Sequence, residues 1–539
     1  MKEIELESIA DKLEKIKESK HVKNFSMGWK DNYNISPYEV VKKFIMDKGL
    51  KIYGGLALHE YLKKYKEPIY GNDIFPDYDV YSPNAWEQAK ELCDILYKLG
   101  FYFVEARSSI LNDEHHQTYK VSVDMENLLD ITQSGCTPIE LSAKKCKKCG
   151  QTKDKKCFSI FNHIPCMDVN VYRTKQKNTT YTKTFDYENN KSLYPNKLFV
   201  SSPDWLKANM FKELTQPFSN PSRFVKVSTR LNKFNKYLKT DLKCEDNNLL
   251  IKDEFMPILN YIGKFVKKHK LINYGASAYN FFVKGSSKDY NINIPDYEVY
   301  SDNLTVYSAL EDSDIEILNK NLKSKFKNFK FIIQEKIMYW KEVDITNYSI
   351  LSMRNNTNKY NNIITFTQID ACMPYLQYNG VRYATVDTLK YNYLRAISLP
   401  QIYQYIEINP KNYNCLLNNL LKVEKEFKKK YPKSKKTKFR QFVKKCEGEP
   451  LEKIYENLLT RYSDKIALTK KTKHKINYPK KGFITKTYPI PTTDEKFPYK
   501  PAEMEVKHYK DYSKNLENHL KKNSKNSKKS KKSIFNDIL

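Results

Sequence analysis

The stretch PDYDVYS, Pro76 to Ser82, returns 219 residues later as PDYEVYS, Pro295 to Ser301, with six of seven residues identical. Each copy follows a small-residue turn: KIYGGLALHEYL at 51–62 precedes the first, and LINYGASAYNFF at 271–282 precedes the second. A third block keeps the order, since Asp204-Trp205-Leu206-Lys207-Ala208-Asn209 answers Asp387-Thr388-Leu389-Lys390-Tyr391-Asn392. Three blocks in one order are poorly explained by chance, and the period is too long for a solenoid. The chain therefore reads as two copies of one α/β unit.

Outward from the first block, Leu56 to Lys66 carries helical apolar spacing. FYFVEA, YKVSVDM and NLLDIT have the Val, Ile, Tyr and Phe content that suits strands. WLKANMFKELTQP and SRFVKVSTRLNKFNKYL return to helical periodicity, with a proline separating them. Each unit is thus predicted to be a mixed sheet flanked by helices, in the α/β (α+β) class.

The 539 residues are too many for one ordinary core and suggest about three units. No run of roughly 18 uncharged apolar residues could cross a bilayer. The first twenty residues alternate charge along a helical pattern and lack the apolar centre of a signal peptide, so an intracellular protein is expected. Lys and Arg number 94 against 63 Asp and Glu, a net charge of +31. That excess favours a polyanion through counterion release. KKNSKNSKKSKKS near the C-terminus holds seven of the lysines as a solvated tail, and subtracting them from +31 still leaves +24.

In Asp77-Tyr78-Asp79 the carboxylates are two apart on a predicted strand, so both face one side. That geometry suits divalent metal. Mg²⁺ takes carboxylate, phosphate and water oxygens, and two ions about 4 Å apart can clamp the oxygens of a phosphoryl transfer. A third carboxylate is expected from Asp130 in Leu128-Leu129-Asp130-Ile131-Thr132, since a charge in so apolar a strand is costly without a partner. Gly54-Gly55 opens a helix, where backbone N–H groups can approach a triphosphate.

Tyr53-Gly54-Gly55, Pro76-Asp77-Tyr78-Asp79, Leu129-Asp130-Ile131-Thr132 and Pro203-Asp204-Trp205-Leu206-Lys207 together resemble the catalytic subunits of poly(A) polymerases from large cytoplasmic DNA viruses, within the polymerase-β-type nucleotidyltransferases. The resemblance covers roughly residues 45 to 400. It implies two tandem nucleotidyltransferase-like domains and transfer of AMP from ATP to an RNA 3′-OH with release of pyrophosphate. It also implies catalytic and Mg²⁺ (or Mn²⁺) roles for Asp77, Asp79 and Asp130, and nucleotide binding by Gly54, Gly55 and Lys207. Partners so implied are ATP, a single-stranded RNA 3′ end, and a second copy of the chain or a processivity subunit. The implied location is the host cytoplasm at the viral factory, with packaging in the virion.

The second copy offers Gly275, Asp296, Glu298, Asp370 and Lys390 as equivalents. It lacks the second glycine and has Glu for the second Asp, so chemistry is expected in the first copy, with the second as a structural or RNA-binding partner. Terminal transfer of U or CCA, or an inactive RNA-binding scaffold, are the alternatives.

Ten cysteines are expected to be reduced thiols. Four of them, Cys146, Cys149, Cys157 and Cys166, cluster beside His163, and Cys-x2-Cys is half of a structural zinc site. Asp130 to Asp204 spans 74 residues whereas Asp370 to Asp387 spans 17, which makes the cluster part of an insertion at about 136–195. Expected boundaries are a helical segment at 1–45, a catalytic domain at 46–245 and a second domain at 250–400. A basic helical region at 401–478 and an extended, disordered Lys-rich tail at 479–539 follow.

Overall fold

The computed structural model describes residues 36–71, 76–101, 103–109, 118–124, 126–134, 136–137, 158–159, 161, 164–169, 180–181, 185–186, 191–192, 197–215, 221–240, 242, 255–301, 313–340, 345–354, 360–369, 372–400, 412–431, 438–440, 443 and 445–448. The expected lysine-rich tail lies outside the described residues. Among them, no helix is long and apolar enough to cross a membrane.

The first unit begins with helix α1 (Pro37–Lys48), which starts on a proline at its first turn and buries Val41, Phe44 and Ile45. It stops at Gly49, whose φ of 61° closes the helix in the left-handed conformation that glycine adopts without strain. Then come β1 (Lys51–Tyr53), α2 (Gly54–Lys63), β2 (Tyr78–Ser82), α3 (Ala85–Lys98), β3 (Glu105–Ser108), β4 (Thr118–Val123) and β5 (Glu126–Gln133). Within the segment expected as an insertion lie β6 (Cys166–Asp168) and β7 (Thr180–Tyr181), both strands of the main sheet, and after it come β8 (Phe199–Ser201), α4 (Pro203–Leu214) and α5 (Pro221–Tyr237). The second unit comprises α6 (Met256–Lys268), β9 (Ile272–Asn273), α7 (Ala276–Val283), β10 (Tyr297–Ser301), α8 (Asp314–Lys325), β11 (Lys330–Trp340), β12 (Ile345–Arg354) and β13 (Tyr360–Gln368). It ends with β14 (Met373–Tyr378), β15 (Val381–Ala384), α9 (Val386–Ser398), α10 (Tyr413–Lys430) and β16 (Cys446–Glu447).

The two eight-stranded sheets have matching orders, β3-β4-β5-β2-β1-β8-β6-β7 and β11-β12-β13-β10-β9-β15-β14-β16. Their pairing senses match too: β2 is parallel to β5 as β10 is to β13, and β1 is parallel to β8 as β9 is to β15. The duplication is therefore one of three-dimensional units. Two tyrosine rows repeat as well. Tyr53 stacks on Tyr81 at 4.1 Å between ring centres, and Tyr274 lies 4.3 Å from Tyr300. The Tyr53 hydroxyl is hydrogen-bonded to Thr132 at 2.7 Å, as Tyr274 is to Thr367 at 2.8 Å.

The units meet through counterpart helices, α4 against α9, in a core that contains Leu206 and Phe211 with Leu389 and Leu394. Each helix also holds its own sheet, since Asn209 donates to the Tyr81 hydroxyl and Asn392 to that of Tyr300. Helix α10 packs on α9 and α7, and β16 pairs with β14, so the second unit reaches Glu447 rather than ending near residue 400. Likewise α1 belongs to the first core, into which it packs Val41, Phe44 and Ile45.

One expectation about cysteines is corrected. Cys372 and Cys446 form a disulfide, and Cys415 is disulfide-bonded as well. Pairing of β14 with β16 brings residues 74 apart in sequence within bonding reach, which spacing along the chain does not reveal. Cys93 and Cys166 are buried.

Candidate active site

Strands β1, β2 and β5 lie side by side, and the register puts Tyr53 opposite Asp79 and Asp79 opposite Asp130. Asp77 stands just before β2 and is exposed, while Asp79 and Asp130 are half-buried. Asn127 draws two of the carboxylates together by donating to Asp77 Oδ2 at 3.1 Å and to Asp130 Oδ1 at 2.7 Å. On its other oxygen, Asp130 is ion-paired with Lys120 of the neighbouring strand. Asp79 and Asp130 thus face each other on two central strands, with Asp77 just ahead of β2 and joined to Asp130 through Asn127.

The glycine turn abuts them. Gly54 has φ +68°, and a Cβ there would stand 2.1 Å from Asp79 Oδ2, so both conformation and space demand glycine. A Cβ on Gly55 would meet the Tyr70 hydroxyl at 2.0 Å and Arg230 Nη1 at 3.3 Å. Arg230 donates to the Tyr70 hydroxyl at 3.3 Å and lies over its ring. The turn that carries Tyr70 is fastened to α5: Tyr65 stacks on Tyr237, and Glu67 pairs with Lys233 and Lys236. A guanidinium from α5 thus overlooks the start of α2, next to the Gly54 turn that abuts Asp79.

Burial, then the charge of Asp77, pushes the Tyr38 phenol up. Burial, then Asp79, does the same to Tyr53. Both phenols stay neutral and line the site without acting as bases.

Lys207 sits elsewhere in its surroundings than the sequence suggests. It is 3% exposed and donates to Asp204 Oδ1 at 3.2 Å and Thr240 Oγ1 at 2.7 Å. Burial lowers its affinity for the proton, opposed by Asp204. Arg230, which sequence inspection passes over as one basic residue among many, is the cation at the glycine turn. Lys120 and Asn127 carry no local signal either, since only the β4–β5 register and fold bring them to the carboxylates.

The second copy corrects one assignment. There β10 pairs with β13 so that Tyr297 meets Ile364, Glu298 meets Thr365 and Tyr300 meets Thr367. In the first copy Tyr78 meets Leu129, Asp79 meets Asp130 and Tyr81 meets Thr132. The counterpart of Asp130 is therefore Thr365 and not Asp370, which lies outside the described residues. Ile350 takes the register position of Lys120, whereas Asn362 retains that of Asn127. Asp296 is 0% exposed and Glu298 5%, so the second pair is sealed where the first is open. Gly275 keeps the close approach of its counterpart, since a Cβ on it would lie 2.1 Å from Glu298 Oε2. Lys390 is bound by Asp387 and Glu424.

Among the described residues, no group of three His, Cys, Asp or Glu side chains is gathered tightly enough to hold a metal ion. The chemistry of the donors nonetheless suits a hard cation: Asn127 bridges the Asp77 and Asp130 carboxylates, and Asp79 stands opposite Asp130 in the register. Of the cysteine cluster, Cys146, Cys149 and Cys157, with His163, lie outside the described residues, and Cys166 is buried in β6 opposite Ser201.

Residues 39–137, which hold the glycine turn and all three carboxylates, match the family model of the poly(A) polymerase catalytic subunit. A candidate poly(A) polymerase catalytic subunit of Acanthamoeba polyphaga mimivirus is 41% identical over 98 residues, 18% of this chain and 16% of that protein. One from African swine fever virus (strain Badajoz 1971 Vero-adapted) is 31% identical over 205 residues, 37% of this chain and 32% of that protein. The matching stretches thus span a third or less of these relatives. The crystal structure of the Megavirus polyadenylate synthase superposes with a TM-score of 0.58 at 20% identity, over 88% of this chain and 84% of that one, which shows a common fold.

Proposed function

We propose that this chain is a template-independent poly(A) polymerase, transferring AMP from ATP to the 3′-OH of single-stranded viral RNA and releasing pyrophosphate. The observation that carries this reading is the row of Asp77, Asp79 and Asp130 beside the Gly54 turn, in the segment that matches the poly(A) polymerase family. Bound there, Mg²⁺ or Mn²⁺ would polarise the α-phosphate and lower the pKa of the primer hydroxyl. Asp77, Asp79 and Asp130 would hold it, with Asn127 fixing the spacing of two of them. Backbone N–H groups at the start of α2 face the triphosphate, and the Arg230 guanidinium neutralises its charge where Tyr70 holds it. No side chain at the site reads the base by any contact described above, so base choice is tested directly. With a short RNA primer and one nucleotide at a time, ATP is expected to extend at least about tenfold faster than UTP, CTP or GTP, a difference of about 1.4 kcal/mol. Equal use of UTP or CTP would overturn the adenylyl reading.

Work in the infected-cell cytoplasm, with a second copy or a processivity subunit, belongs to the same proposal. A structural zinc ion rests on the Cys146-x2-Cys149 spacing alone. Metal analysis after chelator-free purification should find about one equivalent, and less than about a tenth would remove the idea.

A further inference from the structure

Helices α1 and α3 of the first unit correspond by chain order to α6 and α8 of the second, and each pair is in mutual contact. Their apolar faces do the same work, with Ile258 and Ile262 of α6 meeting Leu318 and Leu322 of α8 in one core. Their outer faces do not. On α1 and α3 five lysines are balanced by five carboxylates, and four ion pairs join them: Lys42–Glu39, Lys43–Asp47, Lys48–Glu91 and Lys90–Glu87. On α6 and α8 the exposed lysines are Lys264, Lys267, Lys268, Lys320, Lys323 and Lys325, against Asp314 and Glu316 alone, an excess of four positive charges. Asp314 is buried and bound to Ser301 and His269, so it offers nothing to that surface. Among the described residues none of the six lysines is ion-paired.

The neutral pair in the first unit shows that the fold does not require this charge, and like charges on one face cost self-repulsion. Aromatic rings are interleaved with it. Lys325 lies 4.7 Å from the ring centre of Tyr261, which packs edge-on against Phe326, and Phe255 does the same to Phe329. These rings are half-buried and pack against the core of the unit beside the lysines. Unpaired cations beside partly exposed rings are what a flexible single strand of phosphates and bases recognises. The same unit has Thr365 where the first has its third carboxylate, so its charge is not there for chemistry.

We infer that the α6–α8 face of the second unit is the docking surface for the body of the single-stranded RNA whose 3′ end the first unit extends. The inference rests on the RNA reading above and adds a location to it. The test compares two full-length variants of equal charge change. One is Lys264→Gln, Lys267→Gln, Lys323→Gln and Lys325→Gln; the other is Lys42→Gln, Lys43→Gln, Lys90→Gln and Lys98→Gln. Binding of a labelled, unstructured RNA of about 40 nucleotides is measured across salt concentrations. The first variant should bind at least about tenfold more weakly near 0.15 M salt, with a log–log salt slope shallower by about 3; the second should stay within about twofold of the parent. Equal weakening in both variants would mean bulk charge only, and no weakening in the first would exclude the surface; either overturns the inference. Extension of a primer of about six nucleotides, too short to leave the first unit, is followed in parallel. It should be unchanged in the first variant, and its absence from the parent would count against the polymerase reading while leaving the binding comparison intact.

Discussion

Replacing Asp77 and Asp79 together by Ala is expected to lower primer extension by at least about a thousandfold, some 4 kcal/mol of transition-state stabilisation, while RNA affinity changes by less than about twofold. Asp77 is exposed and Asp79 half-buried at the end of a strand, so their loss leaves no buried hole and removes two of the three anionic donors of the site. Circular dichroism and melting should match the parent, which separates lost chemistry from lost fold. The matching change in the second copy, Glu298→Gln, should retain extension, because the register there supplies Thr365 in place of a third carboxylate. Extension by the double variant above about a tenth of the parent rate would refute the site; loss of activity in the Glu298 variant at unchanged stability would return catalysis to the second copy.

The largest effect on stability is expected at Lys390. Its ammonium is buried between Asp387 Oδ1 at 3.4 Å and Glu424 Oε2 at 2.7 Å, and so ties α9 to α10. Burial would drive this lysine to give up its proton, but Glu424 and Asp387 prevail and raise its pKa. Burial pushes Asp387 up, whereas Glu424, against the same penalty, is held down by Lys390 and Lys428. Lys390→Ala leaves Asp387 unpaired in the core and Glu424 with Lys428 alone, at a cost of about 3–5 kcal/mol. The sign with pH follows from these directions. A depressed carboxylate contributes stability above its unfolded pKa and loses it as pH falls through the folded value; a raised lysine contributes below its unfolded pKa and loses it at alkaline pH. The deficit of the variant is therefore greatest near neutrality and shrinks as acid protonates Asp387 and Glu424. Denaturant unfolding at two pH values, one neutral and one mildly acidic, checks this, and a deficit under about 1 kcal/mol at neutral pH would show that the triad contributes little.

Much of this protein was legible locally. Alternation places Asp77 and Asp79 on one face, the paired glycines mark the turn before a helix, and the repetition of PDYDVYS as PDYEVYS exposes the duplication. The lost third carboxylate of the second copy is legible as well. Aligning Asp130-Ile131-Thr132-Gln133 with Thr365-Phe366-Thr367-Gln368 by their Thr-Gln ends finds the lost carboxylate without any structure.

The doubled unit, the shared face of Asp77 and Asp79 and the glycine turn are written in neighbouring residues, because strand alternation, glycine conformation and internal repetition are local properties. Tertiary structure alone decided that Lys207 is turned into a buried pocket with Asp204 and Thr240, that Arg230 and Tyr70 meet over the glycine turn from 160 residues apart, and that Cys372 reaches Cys446. It also decided that the first acidic pair is open while the second, nearly identical in sequence, is sealed. Those outcomes depend on which distant segments pack against a strand and how much water they exclude, and no local pattern of residue types encodes that.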